Sequence, residues 1–164
     1  MPTASCVLFT GRAGAGKTTV GQAVADELRR RGRACAVLDE AALEGRLQPG
    51  PEALVWCCEL LVTSGATAVV TVPIPARADR ELLRTALPGL VEVFLDAPPS
   101  VCADRADDRA ARGTAAESDA FEEPYAPDLR VPTYDRDPSA SVAQVISHLE
   151  DAGVAPHDPP HPSE

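Results

Sequence analysis

The stretch ASCVLFTGRAGAGKTT, residues 4–19, decides how the rest of the chain is read. Its first part, 4–10, is short, mostly apolar and ended by glycine, which predicts a buried strand. Gly11, Gly14 and Gly16 then come close enough together for the backbone to curl tightly with no Cβ in the way. Lys17 opens a segment, 17–31, in which Val20, Val24 and Leu28 recur four apart, as on one face of a helix, and Gly32 stops it. Strand, glycine turn and helix form the context in which glycine, four residues, then Gly-Lys-Thr becomes a phosphate-binding loop.

Each residue type in Gly11-Arg12-Ala13-Gly14-Ala15-Gly16-Lys17-Thr18-Thr19 has a physical task in such a loop. Curled backbone amides and the start of a helix stabilise anionic oxygens. Lys17 is the only lysine beside fourteen arginines. Its compact ammonium on a flexible stem suits a tight phosphate nest, where the larger planar fork of arginine does not. Thr18 offers a hydroxyl to Mg²⁺. A glycine-rich turn at a helix start is the bland alternative; the full pattern in context favours a bound nucleoside triphosphate.

Working outward, the segments alternate. ACAVLD (34–39) reads as a second buried strand, and PEALVWCCELLVTSG (51–65) as an apolar helix with proline near its first turn. ATAVVTV (66–72) is a β-branched strand, 76–87 a helix and LVEVFLD (90–96) a strand. Residues 99–113 form a helix ending at glycine, and 114–127 a polar loop or lid. DLRV (128–131) is a last short strand and 138–150 a closing helix with Val142, Val145, Ile146 and Leu149 on one face. Apolar strands joined by helices imply a parallel sheet of five strands flanked by helices on both faces, an α/β class with ligands beyond the carboxyl ends of the strands. The domain is expected to span 1–150, with a disordered Pro-rich tail over 151–164.

Composition narrows the partners. The 164 residues suit one domain, and a net charge of −10 argues against a general nucleic-acid binder while allowing a local basic pocket. No run approaches the length of a membrane span, and no secretory signal is evident, so a cytoplasmic protein is expected. Cys6, Cys35, Cys57, Cys58 and Cys102 form no CxxC pair or Cys/His ligand spacing and read as buried reduced thiols. Trp56 reads as core on a helix apolar on most sides.

Several stretches together resemble the adenylylsulfate kinases, phosphate-loop kinases that phosphorylate the 3′-hydroxyl of adenosine 5′-phosphosulfate. GRAGAGKTT is similar to that family's loop, and VLDE stands where the family has Leu-Asp-Gly-Asp. Pro75, Arg77 and Arg80 match a Pro-Tyr-Arg-x-x-Arg segment, VEVFLDAPPSVCADR (91–105) a strand and helix, and Pro124, Pro127, Asp128 and Leu129 a Pro-x-x-Pro-Asp-Leu segment. The departures lie on the acceptor side. Ala41 and Glu44 replace an Asp and an Arg, and Glu52 and Ala53 fall where two arginines would stand. The lid is shortened within RADDRAARG, and the Phe-Thr-Gly element is missing, with Phe121 a partial substitute.

The resemblance implies the phosphate-loop kinase fold, ATP and Mg²⁺ as cofactors, and a small hydroxyl-bearing acceptor, with adenosine phosphosulfate the one it names. It implies Lys17 and Asp39 as catalytic, with Asp39 orienting the acceptor; the alternative is a strand-end carboxylate capping the next segment. It places Arg105 beside the adenine of ATP. Asp39, Arg77, Arg80 and Phe121 would meet the acceptor, although Arg77 and Arg80 also fit a solvated helix face. Arg109 and Arg112 would supply lid charge or pair with Asp104 and Asp108, and Asp96 would help form the base pocket or a turn. Pairing into a homodimer is known among such relatives and is open here. Two alternatives stand beside the kinase: a changed acceptor in specialised metabolism, and an ATP-binding module without turnover.

Overall fold

A computed structural model describes residues 3, 5–43, 50–111 and 120–156. Its elements run β1 (Cys6–Thr10), α1 (Lys17–Arg30), β2 (Cys35–Leu38), α2 (Glu40–Leu43), α3 (Pro51–Thr63), β3 (Thr67–Val70), α4 (Arg77–Ala86), β4 (Val91–Asp96), α5 (Pro99–Ala111), β5 (Leu129–Pro132) and α6 (Pro138–Asp151). The five strands form one sheet in the order β2-β3-β1-β4-β5, and every pairing is parallel. The expected α/β architecture is therefore the observed one.

The alternation of each central strand serves two cores. Val7, Phe9, Val69, Val93 and Leu95 point to the face covered by α1 and α6, where they meet Val24, Leu28, Val145 and Leu149. Cys6, Leu8, Ala68 and Val70 point the other way, onto Leu54 and Cys58 of α3 and Leu83 of α4. Both faces of β1 are thus dry, which is why its sequence is a continuous apolar run rather than an alternating one. Because β1 lies centrally, the loop after Thr10 opens at the middle of the carboxyl edge, next to the ends of β3 and β4.

Several expectations are corrected. Trp56 is not core: 61% of it is exposed, and Leu60, one turn on, is 57% exposed, so α3 keeps an apolar outer face. Of the five thiols, Cys6, Cys58 and Cys102 are buried, whereas Cys35 and Cys57 are only half-buried; all are free. The packed chain also continues past residue 150. Val154 and Ala155 are buried in the α1–α6 core, held by Val154 N–H donating to Leu149 O at 2.8 Å and Thr3 N–H to Gly153 O at 2.8 Å. Two apolar residues suffice here because the turn after α6 folds them back onto it; the remainder of the tail, 157–164, lies outside the described residues, as do 44–49 and 112–119. The short α2 was not expected, and it matters for the site.

Candidate active site

The glycine loop leads from β1 into α1. Gly16, at the N-cap of α1, has φ 102°, ψ 17°, a left-handed conformation that glycine adopts without steric cost. Gly14 has φ 85°, and a Cβ there would lie 2.5 Å from Cys102 O of α5, so the loop is also pressed against its neighbour. The first turn of α1 has no side-chain cap and no acidic residue. Its amides and the positive end of its dipole therefore face outward uncompensated, as an anion site requires. Lys17 is 5% exposed, and its Nζ donates to Gly11 O at 3.0 Å and Arg12 O at 3.1 Å. The ammonium is thus folded back over the loop it serves. Thr18 and Thr19 are exposed.

Beside the loop, a cavity of about 480 Å³ is lined by Gly14, Gly16, Thr19, Arg105, Thr133 and Pro138, among others. Arg105 reaches it from α5 and is fixed by two backbone carbonyls, donating to Gly14 O at 3.1 Å and Thr133 O at 2.8 Å. Buried Thr133, just after β5, donates its hydroxyl to Ala15 O at 2.8 Å. Thr133 thus ties the β5–α6 connection to the phosphate loop. The sequence reading missed it; its only signal was its place after a strand at the carboxyl edge. The residues fit a nucleotide: uncapped amides and a buried lysine for the phosphates, a guanidinium face for the base. Among the described residues no cluster of three or more His, Cys, Asp or Glu could hold a metal. A cation held with a nucleotide at this loop would find the Thr18 hydroxyl there, with phosphate oxygens and water as further ligands.

The other side of the loop is built differently. Asp39 Oδ1 accepts from Ala42 N–H at 2.7 Å, so this carboxylate caps α2. Arg80 is only 3% exposed. Its guanidinium donates to Ile74 O at 2.7 Å, to Pro75 O at 2.9 Å and to Glu122 O, with Glu92 Oε1 3.3 Å from its Nε. Burial lowers its pKa from the ordinary value, opposed by Glu92 and Glu122. The expectation that Arg80 faces the acceptor is corrected on this geometry: its fork is consumed in joining α4 to the segment that carries Phe121. Phe121 is stacked on Phe94 at 5.9 Å between ring centroids, with the Arg12 and Arg80 guanidinium carbons 5.9 Å and 5.2 Å from its ring. Arg77 lies over the Tyr125 ring at 4.0 Å, its backbone N–H held by Glu122 Oε2 at 2.7 Å. Asp96 pairs with Arg130 at 3.0 Å. The Arg109 side chain and Arg112 lie outside the described residues.

Known proteins bear on the family and the fold. The family model for adenylylsulphate kinase matches residues 3–50. An adenylyl-sulfate kinase of Deinococcus deserti is 30% identical over 90% of this chain and 92% of its own. The chain belongs to the adenylyl-sulfate kinase family, a family of phosphotransferases. A probable bifunctional SAT/APS kinase of Sorangium cellulosum is 30% identical over 92% of this chain, which spans only 29% of that longer relative. The solved APS kinase of Mycobacterium tuberculosis in complex with AMPPNP and APS superposes with a TM-score of 0.76 at 28% identity, covering 92% of this chain and 99% of that one. Family membership and the parallel sheet thus agree. No helix among the described residues is long and apolar enough to cross a membrane.

Proposed function

We propose that the chain is an ATP-dependent kinase that transfers the γ-phosphate of ATP to a hydroxyl of a small acceptor. The observation that carries this reading is the phosphate loop: an uncapped α1, left-handed Gly14 and Gly16, and a buried Lys17 beside a cleft sized for a nucleoside. Bound Mg²⁺ would neutralise charge on the β- and γ-phosphates. The protein's own part is positioning and electrostatics. Lys17 holds the phosphate end against the loop amides, Thr18 supplies its hydroxyl, and Arg105 and Thr133 fix the base end. Gly11, Ala13, Ala15 and Thr19 shape the walls of the same seat. Asp39 stands at the carboxyl end of β2 with one oxygen spent on α2, and in this reading its other oxygen orients the acceptor hydroxyl.

The family names adenosine 5′-phosphosulfate as acceptor, and Arg77 and Phe121 are the side chains available to meet one. Coupled ADP release with Mg²⁺-ATP and a panel of acceptors, that nucleotide and neutral polyols among them, tests the reading. Stimulated turnover by any acceptor supports a kinase. Tight ATP binding with no acceptor-dependent turnover would instead support an ATP-binding module, the reading that Arg80's internal role favours.

A further inference from the structure

The phosphate loop carries a second cation that the fold leaves unspent. Among the described residues, the guanidinium of Arg12 has no carboxylate and no carbonyl partner; its neighbour is the Phe121 ring, 5.9 Å from its central carbon. That is the outer limit of a cation–π contact, which holds the group by one face and occupies none of its five N–H donors. The arginines around it are committed: Arg80 to three carbonyls, Arg105 to two, and Arg130 to Asp96. The Arg12 backbone, by contrast, is fixed. Its carbonyl accepts from Ala15 N–H at 3.0 Å and from Lys17 Nζ at 3.1 Å, so the side chain departs from an anchored point next to the phosphate-holding ammonium. In a chain of net charge −10, a half-buried cation with no counter-charge is a seat for a ligand's anion.

The direction of the side chain separates it from the donor. The donor cleft lies on the α1–α6 side of the sheet, between the loop, Arg105 and Pro138. Phe121 lies on the other side. It stacks on Phe94, whose neighbours in β4, Val93 and Leu95, face α1 and α6, and Arg80 of α4 approaches its ring at 5.2 Å. Phosphoryl transfer runs roughly in line, with the attacking and leaving oxygens on opposite sides of the phosphorus. A cation that leaves the phosphate loop away from the donor cleft therefore points to where the acceptor enters.

We propose that Arg12, beside Arg77 and Phe121, binds an anionic group of the acceptor and so selects small hydroxyl compounds that carry a phosphate, sulfate or carboxylate. This rests on the kinase reading above. The guanidinium fork closes on two oxygens of such a group while Phe121 backs its face.

The test is titration calorimetry of the full chain loaded with Mg²⁺-ADP, using adenosine 5′-phosphosulfate as the anionic probe. Arg12→Gln and Arg12→Ala are each expected to bind the probe at least about tenfold more weakly than the unaltered protein, with Arg12→Lys, which keeps the charge and loses the fork, in between. Affinity for Mg²⁺-ADP, measured on the same samples, is expected to hold. Thermal midpoints report folding, and the alanine variant decides if the glutamine variant does not fold. Unchanged probe binding in a folded Arg12→Ala would overturn the proposal. So would an equal loss of ADP and probe affinity, which would assign Arg12 to the donor phosphates, and so would an unaltered protein that binds ADP but not the probe. An unaltered protein that binds no ADP would break the kinase reading instead.

Discussion

The two sides of the phosphate loop use arginine in opposite ways. On the donor side Arg105 is anchored to two carbonyls, Gly14 O and Thr133 O, yet its flat face still lines an open cleft. On the α4 side Arg80 is tied to carbonyls in the same manner but is buried, while Arg77, lying over the Tyr125 ring, keeps about a third of its side chain exposed. Anchoring an arginine by its edges preorganises it for a ligand only when one face stays accessible. Arg105 keeps such a face toward its cleft; Arg80, 3% exposed, is given over to internal cohesion. Arg84 extends the pattern, bridging Glu92 at 3.1 Å and Asp128 at 3.0 Å so that α4, β4 and the approach to β5 are stapled together.

The contrast can be broken most forcefully at Lys17. Lys17→Ala is expected to lower acceptor-dependent ADP release by about a hundredfold to a thousandfold with little change in thermal midpoint; a variant still binding ATP as tightly would remove the donor-site assignment. Next is the rigidity of the donor loop. A methyl at residue 14 would collide with Cys102 O and demand a left-handed non-glycine residue, so Gly14→Ala should destabilise the protein by roughly 2–4 kcal/mol in urea unfolding.

Asp39 sharpens the acceptor side, because its two candidate roles separate chemically. Asparagine retains an Oδ1 acceptor for the Ala42 amide but loses the charge. Asp39→Asn is expected to keep the midpoint of the parent and to reduce turnover about tenfold to a hundredfold; unchanged turnover would leave only the capping role. The smallest effect lies away from both sides, at Glu27, whose pKa falls from an ordinary 4.5 to about 2 through hydrogen bonds from Arg30 and Arg31. Depressed in the folded state, this carboxylate contributes stability above its unfolded pKa and loses it as pH falls from about 4.5 to 2. Denaturation midpoints of Glu27→Gln should therefore converge on those of the parent across that window, and equal gaps at pH 6 and pH 3 (about one unit above the folded value) would count against it.

How much of this was legible beforehand depended on how far each signal reached along the chain. The β1–loop–α1 unit is local: the apolar run, the glycines and the four-residue spacing of Val20, Val24 and Leu28 all act on neighbours, and the structure follows them. The parallel sheet was readable for the same reason, since strands dry on both faces need covering helices. What escaped the sequence acts at a distance. Nothing in DAGVAP says that Val154 will fold back onto α6, and nothing near Arg80 says that Glu92 and Glu122 will enclose it. Trp56 misled because its helix is apolar nearly all round, and such a helix leaves open which side turns inward. Thr133 and Glu122 carry no motif; each matters only because strand order brings its segment to the loop.

The outward-facing Trp56 has a practical consequence for the unfolding measurements named above. It is the sole tryptophan of the chain, and most of its ring is already in water in the native state. Its emission is set by solvent before any denaturant is added, so unfolding moves it little, and a flat fluorescence trace would be mistaken for extreme stability. Circular dichroism follows the helices themselves. The same indole becomes a reporter of whatever covers α3, since a blue shift on raising protein concentration would mark that face going dry.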